Sequence, residues 1–174
     1  SLQGEGRLLY IATMYPYKWN TTEIDPETMQ RIERHRAMRA DKGFDTVECY
    51  RHVEHIVAKR QDVLLLECMS NLLANEMYLE PDSNAGSDMA ETMSPVSNKI
   101  VQALIDLSTR VQELVIVTND VFSDGGSLTY DESTREYVKN LAEINCALAR
   151  EAATVTEVVC GIPVIVKKNH PMGK

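Results

Sequence analysis

Three short, almost continuous apolar runs constrain this chain more than any other feature. They are Arg7-Leu8-Leu9-Tyr10-Ile11-Ala12-Thr13, Asp62-Val63-Leu64-Leu65-Leu66-Glu67-Cys68 and Glu113-Leu114-Val115-Ile116-Val117-Thr118. Each is too short for an ordinary helix and too uniformly apolar for a half-exposed strand, so each reads as a buried strand. Segments with helical spacing separate them. Buried strands alternating with helices imply a parallel sheet covered on both faces.

The intervening segments carry their own signals. Pro26 to about Asp41 reads as a helix: Asp25 can cap it, Pro26 fits its first turn and Gly43 follows its end. Thr46 to Cys49 fits a further short strand, followed by a polar helix from about His52 to Lys59, and Asn71 to Tyr78 looks helical. Residues 80–98, rich in Pro, Ser, Asp, Asn and Gly, read as a loop or mobile insertion. Ile100, Leu104, Leu107 and Val111 mark an amphipathic helix, and Tyr137, Leu141, Ile144 and Leu148 a long penultimate one. Val158 to Val166 closes the chain as a strand pair or a bent strand. The expected organisation is one α/β domain over residues 1–168 and a disordered tail over 169–174, in which His170 is not a ligand.

With 174 residues the chain supports one full core. No apolar run reaches the length of a bilayer span and no signal-peptide pattern is present, so no membrane association is expected. Cys49, Cys68, Cys146 and Cys160 lie far apart and form no CxxC pair, which fits a reduced, cytoplasmic protein without structural zinc. A net charge of −8, with no long basic face outside one helix, argues against nucleic acid as a partner.

That one helix is chemically conspicuous. Arg31-Ile32-Glu33-Arg34-His35-Arg36-Ala37-Met38-Arg39 sets four arginines around one histidine. At i, i+4 and i+8, Arg31, His35 and Arg39 share a side of the helix and repel one another unless an anion lies between them. Guanidinium suits phosphate oxygens, and a histidine among arginines can act as a base or as a nucleophile toward phosphorus. A solvated basic face paired with carboxylates elsewhere fits the same residues. In parallel sheets the chemistry gathers at the carboxyl ends of the strands. Thr13, Glu67 and Thr118-Asn119-Asp120 stand at those ends here. Glu67, directly after the apolar run, could present a ligand to magnesium; it could equally cap the helix that follows or pair with an arginine. Asn119 and Asp120 have weaker claims, since both residue types favour turns for local reasons.

Leu9 to Thr13, Arg31-Ile32 with His35 and Arg36, Leu65 to Cys68, and Val117 to Val121 occur in order and at fitting intervals. Together they resemble the bifunctional adenosylcobinamide kinase / adenosylcobinamide-phosphate guanylyltransferase family of cobalamin biosynthesis, from about Arg7 to Lys167. The resemblance implies a P-loop NTPase-like (RecA-like) α/β fold, a mostly parallel sheet with helices on both faces. It implies phosphorylation of adenosylcobinamide, then transfer of GMP from GTP to adenosylcobinamide phosphate through a guanylyl-histidine. GTP and ATP would be substrates, Mg2+ the cofactor, and a homo-oligomer, a trimer, the assembly. By position, His35 matches the guanylylated histidine. Ala12, Thr13 and Met14 match the strand-end turn at the nucleotide, Arg36, Ala37, Met38 and Arg39 the segment that contacts GTP, and Glu48 and Glu67 two acidic positions of the site, with Glu67 at the metal.

The family pattern is not complete. A Gly-rich loop ending in Gly-Lys-Ser or Gly-Lys-Thr precedes the first matched strand in the family, and Ser1 to Gly6 does not supply it. Without that cradle the polypeptide is expected to bind nucleotide poorly and to be inactive or impaired. Phe122 to Gly126 also departs from the pattern, as does Cys146 after Asn145; Gly125-Gly126 fits a lid hinge or a plain turn. The alternative is a non-catalytic, degenerate P-loop-like α/β module acting as a binding or interaction protein.

Overall fold

The computed structural model describes residues 6–19, 21–79, 93–121 and 130–169. Its elements are β1 (Leu8–Ala12), α1 (Pro26–Arg39), β2 (Phe44–Glu48), β3 (Val63–Glu67), α2 (Met69–Tyr78), α3 (Pro95–Arg110), β4 (Glu113–Val117), α4 (Glu132–Glu151), β5 (Thr154–Val159) and β6 (Ile162–Lys168). Single 3₁₀ turns lie at Ala40–Lys42 and Val53–His55.

The first four strands form one parallel sheet in the order β2-β1-β3-β4. Successive side chains alternate between its faces. Leu9, Ile11, Leu64 and Leu66 are fully buried on one face, in one core with Leu72 and Leu73 of α2, Leu104 and Leu107 of α3, and Leu141 and Ile144 of α4. Each such side chain contributes about 1.5–3 kcal/mol by leaving water, so this layer carries most of the stability. The other face is covered differently. There α1 buries no residue completely and reaches the sheet through polar side chains, while Leu8, Val115 and Val117 keep about two-fifths of their surface exposed. Helices lie on both faces, but one layer is apolar and thick and the other is polar and thin.

Helix ends follow local chemistry. Asp25 accepts from the Glu27 amide ahead of Pro26, and Ser94 accepts from the Ser97 amide ahead of Pro95. The second cap corrects the loop expected over residues 80–98: Ser94-Pro95 begins α3, so residues 95–98 are helical, and residues 80–92 lie outside those described. The polar helix expected from His52 to Lys59 shrinks to the turn at Val53–His55. His52 takes a left-handed backbone (φ 57°) with its amide on Glu76 Oε1 at 2.7 Å, and Val53 and Ile56 turn into the core, so the chain runs on extended.

The chain's end is a strand pair, longer than the Val158–Val166 expected from sequence. β5 and β6 pair antiparallel in their own two-stranded sheet, joined at Cys160 (φ 51°) and Gly161 (φ 80°). Two successive positive φ angles are what a tight hairpin turn requires, and Gly161 meets that at little cost. Lys167 ties the hairpin to the end of α4 by donating to the carbonyls of Ala149 and Arg150. Asn169 still bonds to Ala153, and the rest of the tail, His170 included, lies outside the described residues.

At the amino end of the sheet, Asp62 is buried and accepts from the Arg7 amide (3.0 Å), the Arg7 guanidinium (2.6 Å) and the Lys59 amide (2.8 Å). The Arg7 guanidinium, with the two amides, holds the Asp62 carboxyl well below the usual carboxylate range against the opposing effect of burial. Asp62→Ala leaves these donors without an acceptor and is expected to cost about 3 kcal/mol in denaturant unfolding. A carboxyl whose folded pKa is depressed stabilises fully above its unfolded value and loses that contribution as pH falls through the folded one. The difference between wild type and variant therefore persists at neutral pH and shrinks below about pH 4; a difference constant down to acid unfolding would contradict this.

Candidate active site

Strand register builds the floor of the site. Ala12 pairs with Glu48 on one side and Glu67 on the other, and Glu67 pairs with Val117. The row Glu48–Ala12–Glu67–Val117 thus crosses the carboxyl ends of all four strands on the thinly covered face. Two strand spacings, about 10 Å, separate the carboxylates.

A tyrosine clamps each carboxylate. Tyr10, two residues before Ala12 on the same face, donates its hydroxyl to Glu67 Oε2 at 2.8 Å. Tyr50, two residues beyond Glu48, donates to Glu48 Oε2 at 2.8 Å. Burial, then the bond to the carboxylate, pushes both phenols above their ordinary pKa, so both remain donors at neutral pH.

Helix α1 forms the roof. Arg36 pairs with Glu48 Oε1, and the Arg39 guanidinium lies 3.9 Å from the Tyr10 ring centroid, in cation–π contact, while its Nε reaches Thr46 Oγ1 at 3.4 Å. His35 Nδ1 sits 3.8 Å from Glu67 Oε1, within ion-pair range though beyond a hydrogen bond. Among the described residues the imidazole has no hydrogen bond, so a ring nitrogen is available. Floor and roof enclose a cavity of about 260 Å³ lined by Tyr10, Ala12, Met14, His35, Arg36, Arg39, Glu48 and Glu67 with their neighbours. The arrangement offers an anion two guanidinium groups, offers a cation a carboxylate, and sets an imidazole between them.

Of the residues singled out from sequence, Ala12, Met14, His35, Arg36, Arg39, Glu48 and Glu67 come together around this cavity. Thr13, Ala37 and Met38 do not line it. Thr13 is fully buried, and its hydroxyl donates to the Cys68 carbonyl and accepts from the Cys68 amide, both at 2.9 Å, across a cis Glu67–Cys68 peptide. Ala37 and Met38 are exposed on the outer side of α1, Met38 to 65 %. Asn119 stands outside the enclosed cavity, accepting from Ser70 Oγ at 3.3 Å. Residues 122–126 lie outside those described. The tyrosine clamps escape a reading of the sequence, because Tyr10 looks like one more apolar strand residue until the pairing partner of Ala12 is known.

One further group of metal-ligand types occurs: His52 Nδ1, Glu54 and Glu76 approach one another within 4.8 Å. Lys99 already fills it, with Nζ 3.2 Å from His52 Nδ1, 3.2 Å from Glu76 and 3.9 Å from Glu54. No helix among the described residues is long and apolar enough to cross a membrane.

A family model described as cobinamide kinase / cobinamide phosphate guanyltransferase matches residues 2–166. A search of curated proteins finds no match.

The clamps make the tyrosines unequal. Tyr10, Tyr50 and Tyr137, each raised by burial first, are expected to ionise later than an ordinary phenol in an ultraviolet alkaline titration. Tyr10→Phe should remove absorbance change from the late part of that titration and leave the part near pH 10 unaltered; loss from the ordinary range would refute the Tyr10–Glu67 bond.

Proposed function

Because the chain belongs to the cobinamide kinase / cobinamide phosphate guanyltransferase family, we propose that the cavity beneath α1 transfers GMP from GTP to adenosylcobinamide phosphate by way of His35, in cobalamin biosynthesis, and that the same protein phosphorylates adenosylcobinamide with a nucleoside triphosphate, GTP or ATP. The observation that carries this reading is the grouping of His35 with Arg36, Arg39 and Glu67 at the carboxyl end of parallel strands.

In the first step a neutral ring nitrogen of His35 forms a bond to the α-phosphorus of GTP while the bond to the pyrophosphate oxygen breaks, and pyrophosphate leaves with that electron pair. Arg36 and Arg39 offset its charge, and Glu67, beside Nδ1, orients the ring and stabilises the cationic imidazole. Tyr10 holds Glu67 still, and Tyr50 and Arg36 hold Glu48. Ala12 and Met14 give the strand-end surface against which the nucleotide lies, Thr13 fixes that strand end from beneath, and the backbone of Ala37 and Met38 continues the helix between the two arginines. In the second step an oxygen of the acceptor's phosphate bonds to the guanylyl phosphorus as the phosphorus–nitrogen bond breaks, and the electron pair returns to the ring. A homotrimer is the assembly proposed.

Glu67 fits a magnesium ion: it is a hard oxygen donor, about one-third exposed, and Tyr10 occupies only part of its acceptor capacity. Magnesium, when bound, supplies neutralisation of phosphate charge.

Full-length protein, with the family's Gly-rich loop in place, is expected to form an acid-labile, base-stable adduct of one GMP per chain when incubated with GTP and magnesium. Peptide mapping should place it on His35, and His35→Ala should abolish it without unfolding, since α1 tolerates alanine and buries no residue completely. An adduct on another residue, or none from protein that binds GTP, overturns the histidine step. Glu67→Gln removes charge with little change of shape and should lower turnover by about two orders of magnitude. Wild-type turnover by Glu67→Gln at limiting magnesium would take Glu67 out of the metal site.

A further inference from the structure

Between the end of β1 and the start of α1, residues 16–19 and 21–25 form the two arms of a small closed loop. The arms meet at a Tyr17–Ile24 bridge, and the Lys18 amide donates to the Glu23 carbonyl at 2.9 Å. The Asp25 amide donates to the Pro16 carbonyl at 3.0 Å and closes the neck. Lys18 and Glu23 pair at 2.6 Å across the loop. Among the described residues, residues 17–24 have no hydrogen bond or ion pair to the chain outside the loop. The loop is braced internally and joined to the body by its neck and by aromatic contacts.

Two of those contacts reach the rest of the chain. Tyr15, at the neck, packs edge-on against Tyr50 with 5.5 Å between centroids, and Trp19, in the loop, meets Tyr78 edge to face at 6.1 Å. Tyr78 is a fixed seat, because its hydroxyl donates to the Ser133 carbonyl and accepts from Ser133 Oγ, which ties α2 to α4. Trp19 is held by the ring contact alone: its indole makes no hydrogen bond among the described residues, and it stays 52 % exposed. A half-exposed edge-to-face pair is weak enough to open and close while the core stays folded.

The loop also walls the cavity beneath α1. Pro16, Tyr17 and Ile24 line it, and Tyr17 borders a neighbouring open groove of about 640 Å³ as well. His35, Glu67 and Cys68 border both spaces. The cavity, at about 260 Å³, falls below the roughly 300–1,000 Å³ usual for small-molecule sites, so a ligand of ordinary size needs a wall to yield. The floor is bonded into the sheet and α1 carries the Arg36–Glu48 pair, whereas the loop has no polar tie to either. We infer that this loop is a lid, swinging about the neck at Pro16 and Asp25 and latched shut by Trp19 on Tyr78. Raising Tyr17 joins cavity and groove into one cleft and opens His35 and Glu67 to solvent; lowering it shields them from water. Lid motion requires no particular ligand, so it stands apart from the histidine step proposed above.

Cys68 reports on the lid because it borders both spaces, while the exposed Cys146 and Cys160 serve as references. In ligand-free protein treated with iodoacetamide, with the rate at each cysteine read by peptide mass, Cys68 should react more slowly than Cys146 and Cys160. Trp19→Ala removes the latch and should speed Cys68 about five- to tenfold. It should leave Cys146, Cys160 and the slow amide exchange of the fully buried Leu64 and Leu66 unchanged. Trp19→Phe keeps a ring for Tyr78 and should return Cys68 close to the wild-type rate. Equal Cys68 rates in wild type and Trp19→Ala would overturn the lid. So would faster exchange at Leu64 and Leu66 in step with Cys68, which would make Trp19 a support of the fold.

Discussion

Everything at the site depends on the alignment of β1 against its two neighbours. Because side chains alternate with a period of two, a slip of one residue between β1 and β3 would turn Glu67 into the apolar layer and expose a leucine in its place. Two polar clasps at opposite ends of the strands prevent that slip. Arg7 and Asp62 fix the amino ends, and the Thr13 hydroxyl, bonded to both the amide and the carbonyl of Cys68, fixes the carboxyl ends. Asn75 of α2 adds a third tie, donating from one amide nitrogen to the Thr13 carbonyl at 2.8 Å and the Tyr50 carbonyl at 2.9 Å. The apolar core supplies cohesion, and these buried polar bonds supply register.

The acidity of the chain and the basicity of α1 are reconciled locally. Arg36 and Arg39 lie within reach of a carboxylate, a phenyl ring face and a hydroxyl, so the helix can approach the sheet without an anion present. Glu48 holds the Arg36 guanidinium, and the Tyr10 ring and the Thr46 hydroxyl hold that of Arg39, so both are fixed at the cavity in the absence of any ligand. Preorganisation of this kind lowers the reorganisation needed when an anion enters.

Much of the framework is legible in the residues. The three apolar runs became β1, β3 and β4 within a residue or so of their ends, and Asp25-Pro26 and Gly43 bracket the α1 segment as capping chemistry requires. His35 and Glu67 stand out because a histidine among arginines and an acid after an apolar run are both uncommon patterns. What stayed hidden depends on distance in sequence. The role of Tyr10 rests on a partner 57 positions away, and the break at His52 rests on Glu76, 24 positions away. The start of α3 was obscured for a different reason: Ser-Pro belongs to loops and to helix amino termini alike, and only the packing of Ile100 and Leu104 decides between them. The turning of Ala37 and Met38 away from the cavity follows from the helical period, which cannot direct four consecutive residues at one ligand.

Lys99 gives the turn at His52 an unusual kind of permanence. Where many proteins hold a histidine and two carboxylates together with a dissociable ion, this chain uses an ammonium on its own backbone tether. Such a counter-ion cannot diffuse away and does not depend on metal supply. A chelator cannot strip it, and zinc or nickel in solution must displace an amine at high effective concentration to enter. The segment that carries Cys49 and Tyr50 to the rim of the site is thus anchored without a metal ion.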